Sequence, residues 1–95
     1  MSALTESARG QTCTLRIVGV CNFNRETVVL CHLSEFGGGK SFKAPDIAAV
    51  YGCSSCHDVL DGRVQHAGFQ EERYWYTTRA LIETHQSMHE RGLLR

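Results

Sequence analysis

Cysteine spacing is the feature of this sequence with the clearest chemical meaning. Cys53 and Cys56 form a CxxC pair, whose two intervening residues let both sulfurs reach one metal ion. Cys13 and Cys21, with seven residues between them, form a wider pair about thirty residues earlier. Together the pairs predict a four-thiolate zinc site, and Cys31 is then expected to be a packed thiol. The alternative is that the first pair consists of small buried apolar residues.

Two of the five histidines lie beside cysteines, at positions suited to acid–base or metal chemistry. His32 ends the segment Leu30-Cys31-His32, and His57 directly follows the CxxC pair. His57 and Asp61 are four residues apart, so on a helix they share a face and could bind one divalent cation. A neutral imidazole that takes a proton from water beside a hard cation suits phosphodiester hydrolysis. The alternative is that His32 is a satisfied strand histidine and that His57 neighbours or ligates the zinc.

The segments before the CxxC pair predict strands that would position these histidines. Residues 12–18 and 27–33 are rich in β-branched side chains, which favour strands. Gly37-Gly38-Gly39 predicts a flexible loop. Pro45-Asp46 indicates a turn or a helix start, and Ile47–Tyr51 fits either a helical turn or a short strand.

Two helices are predicted after these strands. Ser54 or Ser55 is a suitable N-cap for the first helix, and Gly62 is expected to end it. The second is an amphipathic C-terminal helix over about residues 70–91. Its three- and four-residue repeat is carried by Tyr74, Thr78, Leu81, Ile82, His85 and Met88. The element order is therefore α+β.

Length and charge set limits on the class of protein. The length of 95 residues predicts a single domain over residues 1–95, and 42% hydrophobic and 21% charged residues are typical of a soluble globular protein. No apolar run is long enough to span a bilayer, and no secretory signal is present, so we expect a cytoplasmic protein with reduced thiols. This context also argues against reading CxxCH as a haem attachment motif. Ten basic and ten acidic residues give no net charge, so nucleic-acid binding would need a local basic face.

The order of these motifs resembles that of the zinc-stapled HNH endonucleases, also called ββα-metal or His-Me finger enzymes. More closely, residues 8 to 70 resemble the small prophage-encoded family typified by YbcO, whose members are assigned as nucleases. The matching stretches are Ala8-Arg9-Gly10, Cys13 with Arg16-Ile17, Gly19-Val20-Cys21-Asn22, Glu26-Thr27 to Val29-Leu30 before His32, Lys43-Ala44-Pro45-Asp46, Cys53-Ser54-x-Cys56-His57-Asp58, and Asp61.

The resemblance implies a small ββα-metal fold stapled by a four-cysteine structural zinc. It also implies a metal-dependent endonuclease that hydrolyses DNA phosphodiester bonds. His32 would be the general base, and His57 would bind a catalytic Mg²⁺ or Mn²⁺ with Asp61 or Asp58 as helpers. The implied partners are DNA and a phage recombination or packaging protein, with a homodimer as a further expectation and no membrane.

Two positions depart from the HNH pattern. Cys31 stands where these enzymes often have an acidic or second histidine ligand. Ala48 occupies the expected place of the central Asn, and Asp46 lies two positions away. Asp46 is therefore either a functional substitute or a helix cap after Pro45. The first departure supports an alternative function, a catalytically inactive zinc-binding module that binds nucleic acid or acts as an adaptor in a phage recombination assembly.

Other side chains offer weaker signals for substrate binding. Lys40, Lys43 and Arg63 are candidates for phosphate contacts, and ordinary solvated charges are the alternative. The aromatic run from Tyr74 to Tyr76 could stack on bases. Because three successive helical residues point in three directions, we expect at least two of them to pack in the core or in a dimer. A zinc-only structural protein without nucleic-acid contact is the third hypothesis.

Overall fold

The computed structural model describes residues 3–36 and 44–94. The predicted glycine loop, Lys40 and Lys43 lie outside the described residues. The elements are α1 (Ala3–Glu6), β1 (Val29–His32), β2 (Ala49–Gly52), α2 (Ser54–Leu60), α3 (Ala67–Glu71) and α4 (Arg73–Glu90), with 3₁₀ turns at Arg25–Thr27 and Ser34–Phe36. This order confirms the α+β prediction.

The sheet described by the structure consists of β1 and β2, paired antiparallel. Val29 lies opposite Gly52 and His32 lies opposite Ala49. The strand predicted around residues 27–33 is therefore present as β1, and the short apolar segment before the CxxC pair is the strand β2. Because α2 follows β2 after one residue, the hairpin and this helix form one continuous unit.

Residues 12–18 do not form the predicted strand. They lie along the outer edge of β2, where the backbone N–H and the hydroxyl of Thr14 both donate to the carbonyl of Tyr51, at 2.8 and 2.7 Å. The backbone of Arg16 is left-handed, with φ of 42°, so the segment cannot stay extended. Leu15 and Ile17 are buried against the sheet instead, whereas Val18 is exposed. The β-branched composition thus reflects burial beside a strand edge rather than strand pairing.

The C-terminal helical region is interrupted near its start. α3 ends at Glu71 and α4 begins at Arg73, so the predicted helix over about residues 70–91 starts late and follows a separate short helix. The face of α4 that carries the predicted repeat is buried only in part. Tyr74 and Ile82 are 79% and 62% exposed. The buried residues of the helix are Tyr76, Thr77, Ala80, Thr84 and Met88.

Hydrogen bonding explains why threonines occupy the buried face of α4. The Thr84 hydroxyl accepts from the backbone N–H of Tyr51 at 3.1 Å and lies 3.2 Å from the Thr14 hydroxyl. Thr77 donates to the backbone carbonyl of Arg73, four residues earlier. Buried hydroxyls with such partners avoid the cost of desolvation without a hydrogen bond. Thr84 of α4 and Thr14 therefore share the hydrogen-bonding groups of Tyr51 that β1 leaves open.

The start of α2 differs from the prediction by one residue. Cys53, rather than Ser54 or Ser55, is the N-cap, and its sulfur accepts from the backbone N–H of Cys56. Gly62 follows the helix with φ of 81°, as expected for a glycine stop. Among the described residues, no helix is both long and apolar enough to cross a membrane.

Candidate metal centre and histidine pairs

The structure brings together the four cysteines that the spacing singled out. The sulfurs of Cys13, Cys21, Cys53 and Cys56 all lie within 4.8 Å of one another. Cys21 is partly accessible and the other three are buried, and all four are free thiols. Among the described residues this is the group whose side chains are numerous and close enough to hold one metal ion.

Backbone amides point at these sulfurs. The N–H groups of Arg16 and Cys53 donate to the sulfur of Cys13 at 3.5 and 3.3 Å. The N–H of Cys56 donates to the sulfur of Cys53 at 3.4 Å. Cys13 and Cys53 therefore begin the same kind of turn, in which the amide three residues later reaches the sulfur. Such donors stabilise negative charge on sulfur, as outer-sphere hydrogen bonds do around metal thiolates.

Backbone strain accompanies the cysteine turns. Arg16 and Phe23 adopt left-handed conformations, with φ of 42° and 55°, which non-glycine residues rarely occupy. Arg16 follows Cys13 by three residues, and Phe23 follows Cys21 by two. A left-handed residue costs on the order of 1 kcal/mol. Sequence reasoning missed both positions because neither residue is a glycine or an asparagine.

Ionisation of the cluster favours a cation at its centre. The Cys56 thiol donates toward the sulfur of Cys13, which lowers the pKa of Cys13 to about 5 and raises the pKa of Cys56. Burial raises the pKa of Cys21 to about 11. Neighbouring thiolates repel one another in a buried position, so a bound cation is needed to hold all four as anions. The donor set fits a thiophilic metal ion.

Cys31 is separate from this cluster. It is fully buried, and its sulfur packs where a side chain on Gly52 would otherwise lie. Burial, with a smaller effect from the Asp61 carboxylate, raises the pKa of Cys31. Its environment is that of the packed thiol predicted from the sequence.

The first histidine pair joins the end of β1 to the turn before β2. Nε2 of His32 lies 2.7 Å from Oδ1 of Asp46. Asp46 is not a helix cap, because Pro45 begins a turn, closed by the Ala48 N–H at 2.8 Å, and β2 follows directly. Both side chains are about one-third exposed or less. The pair is thus accessible to a ligand and fixed by two backbone segments.

The second histidine pair lies at the end of α2. Nε2 of His57 is 3.0 Å from Oδ2 of Asp61, the four-residue spacing expected on one helical face. Arg63 contacts the same carboxylate oxygen at 3.2 Å and also pairs with Asp58 at 3.0 Å. Within residues 3–36 and 44–94, no third ligating side chain joins His57 and Asp61 closely enough to share one ion. The guanidinium supplies the positive charge there instead.

The exposed side of α4 carries an apolar groove, which lies after both histidine pairs along the chain. Tyr74 and Trp75 are exposed while Tyr76 is buried, so one aromatic residue of the run enters the core. The guanidinium of Arg79 lies 4.4 Å from the centre of the Trp75 ring and donates to the carbonyl of Leu15 at 2.8 Å. Arg79 thereby fixes the indole at the surface.

Comparison with known proteins gives matches that cover most of the chain. The family described as "Putative nuclease YbcO" matches residues 2–93. Proteins named "Putative nuclease YbcO" from Escherichia coli K12 and from Enterobacteria phage 82 are each 45% identical over 75 residues, which is 76% of this chain and 78% of each relative. A solved structure of a "putative bacteriophage protein" from Escherichia coli K-12 MG1655 is similar, with a TM-score of 0.73 and 34% identity, covering 93% of this chain and 98% of the other.

Proposed function

Because the chain belongs to the YbcO family, we propose that it is a metal-dependent endonuclease that hydrolyses DNA phosphodiester bonds, with His32 as general base. The relatives' names support a nuclease of phage or prophage origin. The observation that carries the proposal is the 2.7 Å contact between His32 and Asp46 at an accessible strand end. The order β1, β2, α2 with His57 on the helix supports the finer assignment to the HNH, or ββα-metal, type.

The geometry of the first pair suits proton transfer. A carboxylate that accepts the Nε2–H of His32 fixes the imidazole tautomer and its orientation. The free lone pair then lies on Nδ1, which can take a proton from an attacking water. Asp46 thus orients the base and stabilises the imidazolium that forms. In this scheme Asp46 replaces the Asn expected two positions later in the HNH pattern.

A catalytic divalent cation belongs to the second pair in this proposal. The Nε2 atom of His57 and a carboxylate oxygen of Asp61 are the ligands offered, and Asp58 is the helper that the family resemblance implies. Mg²⁺ or Mn²⁺ bound there would stabilise charge on the phosphate and on the leaving oxygen. Arg63 is 57% exposed and can turn from Asp61 toward a phosphate once a cation neutralises the carboxylate.

We assign zinc to the four-cysteine cluster. Tetrahedral Zn²⁺ with sulfur ligands at 2.3 Å requires sulfur atoms about 3.8 Å apart, and the sulfurs of Cys21 and Cys53 are 3.9 Å apart. All four ligands come from the protein, which leaves no open coordination position. The zinc is therefore structural, and it fixes the start of α2 and thereby the position of His57.

Cleavage of plasmid and single-stranded DNA by the purified protein tests the proposal. We expect nicking or cutting with Mg²⁺ or Mn²⁺, and a loss of roughly 10²- to 10⁴-fold in His32→Ala with unchanged zinc content. His89→Ala is the matched control, because His89 is an exposed histidine on α4. Retained cleavage by a clean His32→Ala preparation would refute His32 as the base.

The same assay distinguishes the proposed endonuclease from the inactive module. DNA binding over a salt series without cleavage under any divalent cation would support a nucleic-acid-binding or adaptor role. Absence of both binding and cleavage would support a zinc-only structural role. A recombination or packaging partner and a homodimer remain predictions, and sedimentation of the wild type and of Trp75→Ala tests the dimer.

A further inference from the structure

We propose that His85 on α4 is a positioning residue that holds Asp46 against His32. The proposal rests on the function proposed above, in which the His32–Asp46 pair transfers a proton. His85 belongs to neither histidine pair and is not part of the cysteine cluster. Its role would be exerted through the backbone of the turn that carries Asp46.

The central observation is a contact between a side chain and that turn. Nε2 of His85 lies 2.7 Å from the carbonyl oxygen of Ile47, the residue after Asp46. An imidazole N–H donating to this carbonyl ties the turn to an 18-residue helix. On its other side, the turn is held by the Leu33 N–H, which donates to the carbonyl of Ala48 at 2.9 Å. Asp46 therefore lies in a turn that is anchored from two directions.

The preceding residue of α4 makes this anchor rigid. The Thr84 hydroxyl accepts from the backbone N–H of Tyr51 within β2 at 3.1 Å. Consecutive residues of one helix thus contact the turn and the strand that follows it. Because Thr84 fixes α4 relative to β2, the His85 contact fixes the position of Ile47, and so of Asp46, relative to the same strand. A catalytic carboxylate displaced by even 1 Å loses much of its effect.

Replacement of His85 by two related amides tests this role. The side-chain nitrogen of Gln reaches about as far as Nε2 of His, whereas Asn is one methylene shorter and cannot make the contact. We expect His85→Asn to lower kcat for DNA cleavage roughly 10-fold or more, with KM changed less than about 2-fold. His85→Gln should stay within about 3-fold of the wild type. Equal kcat values for the two variants would overturn the proposal.

A spectroscopic readout keeps this test independent of nuclease activity. Long-range ¹H–¹⁵N spectra of the His32 ring report which nitrogen carries the proton and whether it is hydrogen-bonded. We expect the wild type and His85→Gln to share an Nε2–H signature, and His85→Asn to lose it while zinc content stays the same. If the wild type proves inactive on DNA, this spectral difference still supports the positioning role. An unchanged His32 spectrum in His85→Asn would refute the positioning role whatever the activity.

Discussion

The cysteine cluster and the two histidine pairs occupy neighbouring parts of the chain but are built in opposite ways. Three of the four cysteines are buried, and their sulfurs accept hydrogen bonds from backbone amides. The histidines and their aspartate partners are about two-thirds buried, and in each pair the imidazole contacts the carboxylate side chain. The cysteine cluster therefore helps to fix the backbone conformation around it. The histidine pairs form on a backbone conformation that other contacts fix. Changes in the pairs should alter chemistry without unfolding the protein.

Loss of one cysteine ligand should give the largest effect. Cys56→Ser removes a buried sulfur from the cluster, and structural zinc contributes on the order of 10 kcal/mol to folding of small domains. We expect loss of stoichiometric zinc together with loss of the folded circular dichroism spectrum at 25 °C. Cys31→Ala is the matched control and should keep its zinc. A Cys56→Ser protein with normal zinc content and unfolding midpoint would contradict the assigned ligand set.

A methyl group at Gly52 tests the packing around Cys31, the residue before His32. The added Cβ would lie 2.8 Å from the sulfur of Cys31 and 3.0 Å from Cδ1 of Leu15. Overpacking of this kind costs about 1–3 kcal/mol, so Gly52→Ala should lower the free energy of unfolding by that amount in urea titrations. Adding Cys31→Ala removes one of the clashes and should restore part of the loss. No rescue in the double variant would mean that the strand backbone moves instead.

The ion pair between Arg16 and Glu83 connects the segment between Cys13 and Cys21 to α4. Two short contacts, 2.6 and 2.7 Å, lower the pKa of the Glu83 carboxyl below its usual value of 4.5. A lowered pKa means that the stabilisation is present above pH 4.5 and is lost as the pH falls through the lowered value. Because both side chains are about one-third exposed, solvent reduces the contribution to about 0.5–1 kcal/mol.

Comparison of Glu83→Gln with the wild type measures this contribution. The wild type should be more stable by that amount at neutral pH, and the difference should shrink as the pH is lowered below 4.5. Glu90→Gln, an exposed change near the end of α4, serves as the control. A difference that grows toward low pH would have the wrong sign for this pair.

The smallest effect on stability is expected at the histidine pair of α2. Asp61→Asn removes a partly exposed pair at four-residue spacing, and such pairs contribute about 0.3–0.5 kcal/mol. The unfolding midpoint should therefore hardly change, while cleavage with Mg²⁺ should fall. A destabilisation above about 2 kcal/mol would show that this pair, like the cysteines, supports the fold.

The sequence predicted the parts of the fold that depend on local preference. The β-branched run before His32 is a strand, and Gly62 ends the helix after the CxxC pair. The edge segment around Leu15 was misassigned because β-branched side chains favour strands but are also buried beside a strand edge. The apolar repeat predicted the buried face of α4 only in part, because Thr84 is buried by its hydrogen bonds, whereas Ile82 is left exposed. Such polar burial depends on partners distant in sequence.

The candidate site shows the same division. Motif order was sufficient to single out the cysteines, and helical spacing was sufficient to place His57 beside Asp61. The contact of Asp46 with His32 could not follow from spacing, because it spans fourteen residues and depends on where β2 begins. The contact of His85 with Ile47 spans 38 residues and carried no signal at all. Functional pairs that lie close together in the sequence are therefore easier to predict than the long-range contacts that orient them.

The fully buried Cys31 gives the molecule a built-in reporter of its own unfolding. Its thiol is shielded by burial and by its raised pKa, so alkylating reagents reach it only when the hairpin opens. If the four clustered thiols hold the proposed zinc, they should become reactive when that ion leaves. Labelling rates at the two kinds of cysteine, resolved by mass spectrometry, would separate local loss of metal from global opening. Labelling of the wild-type protein would thus yield both rates without any mutation.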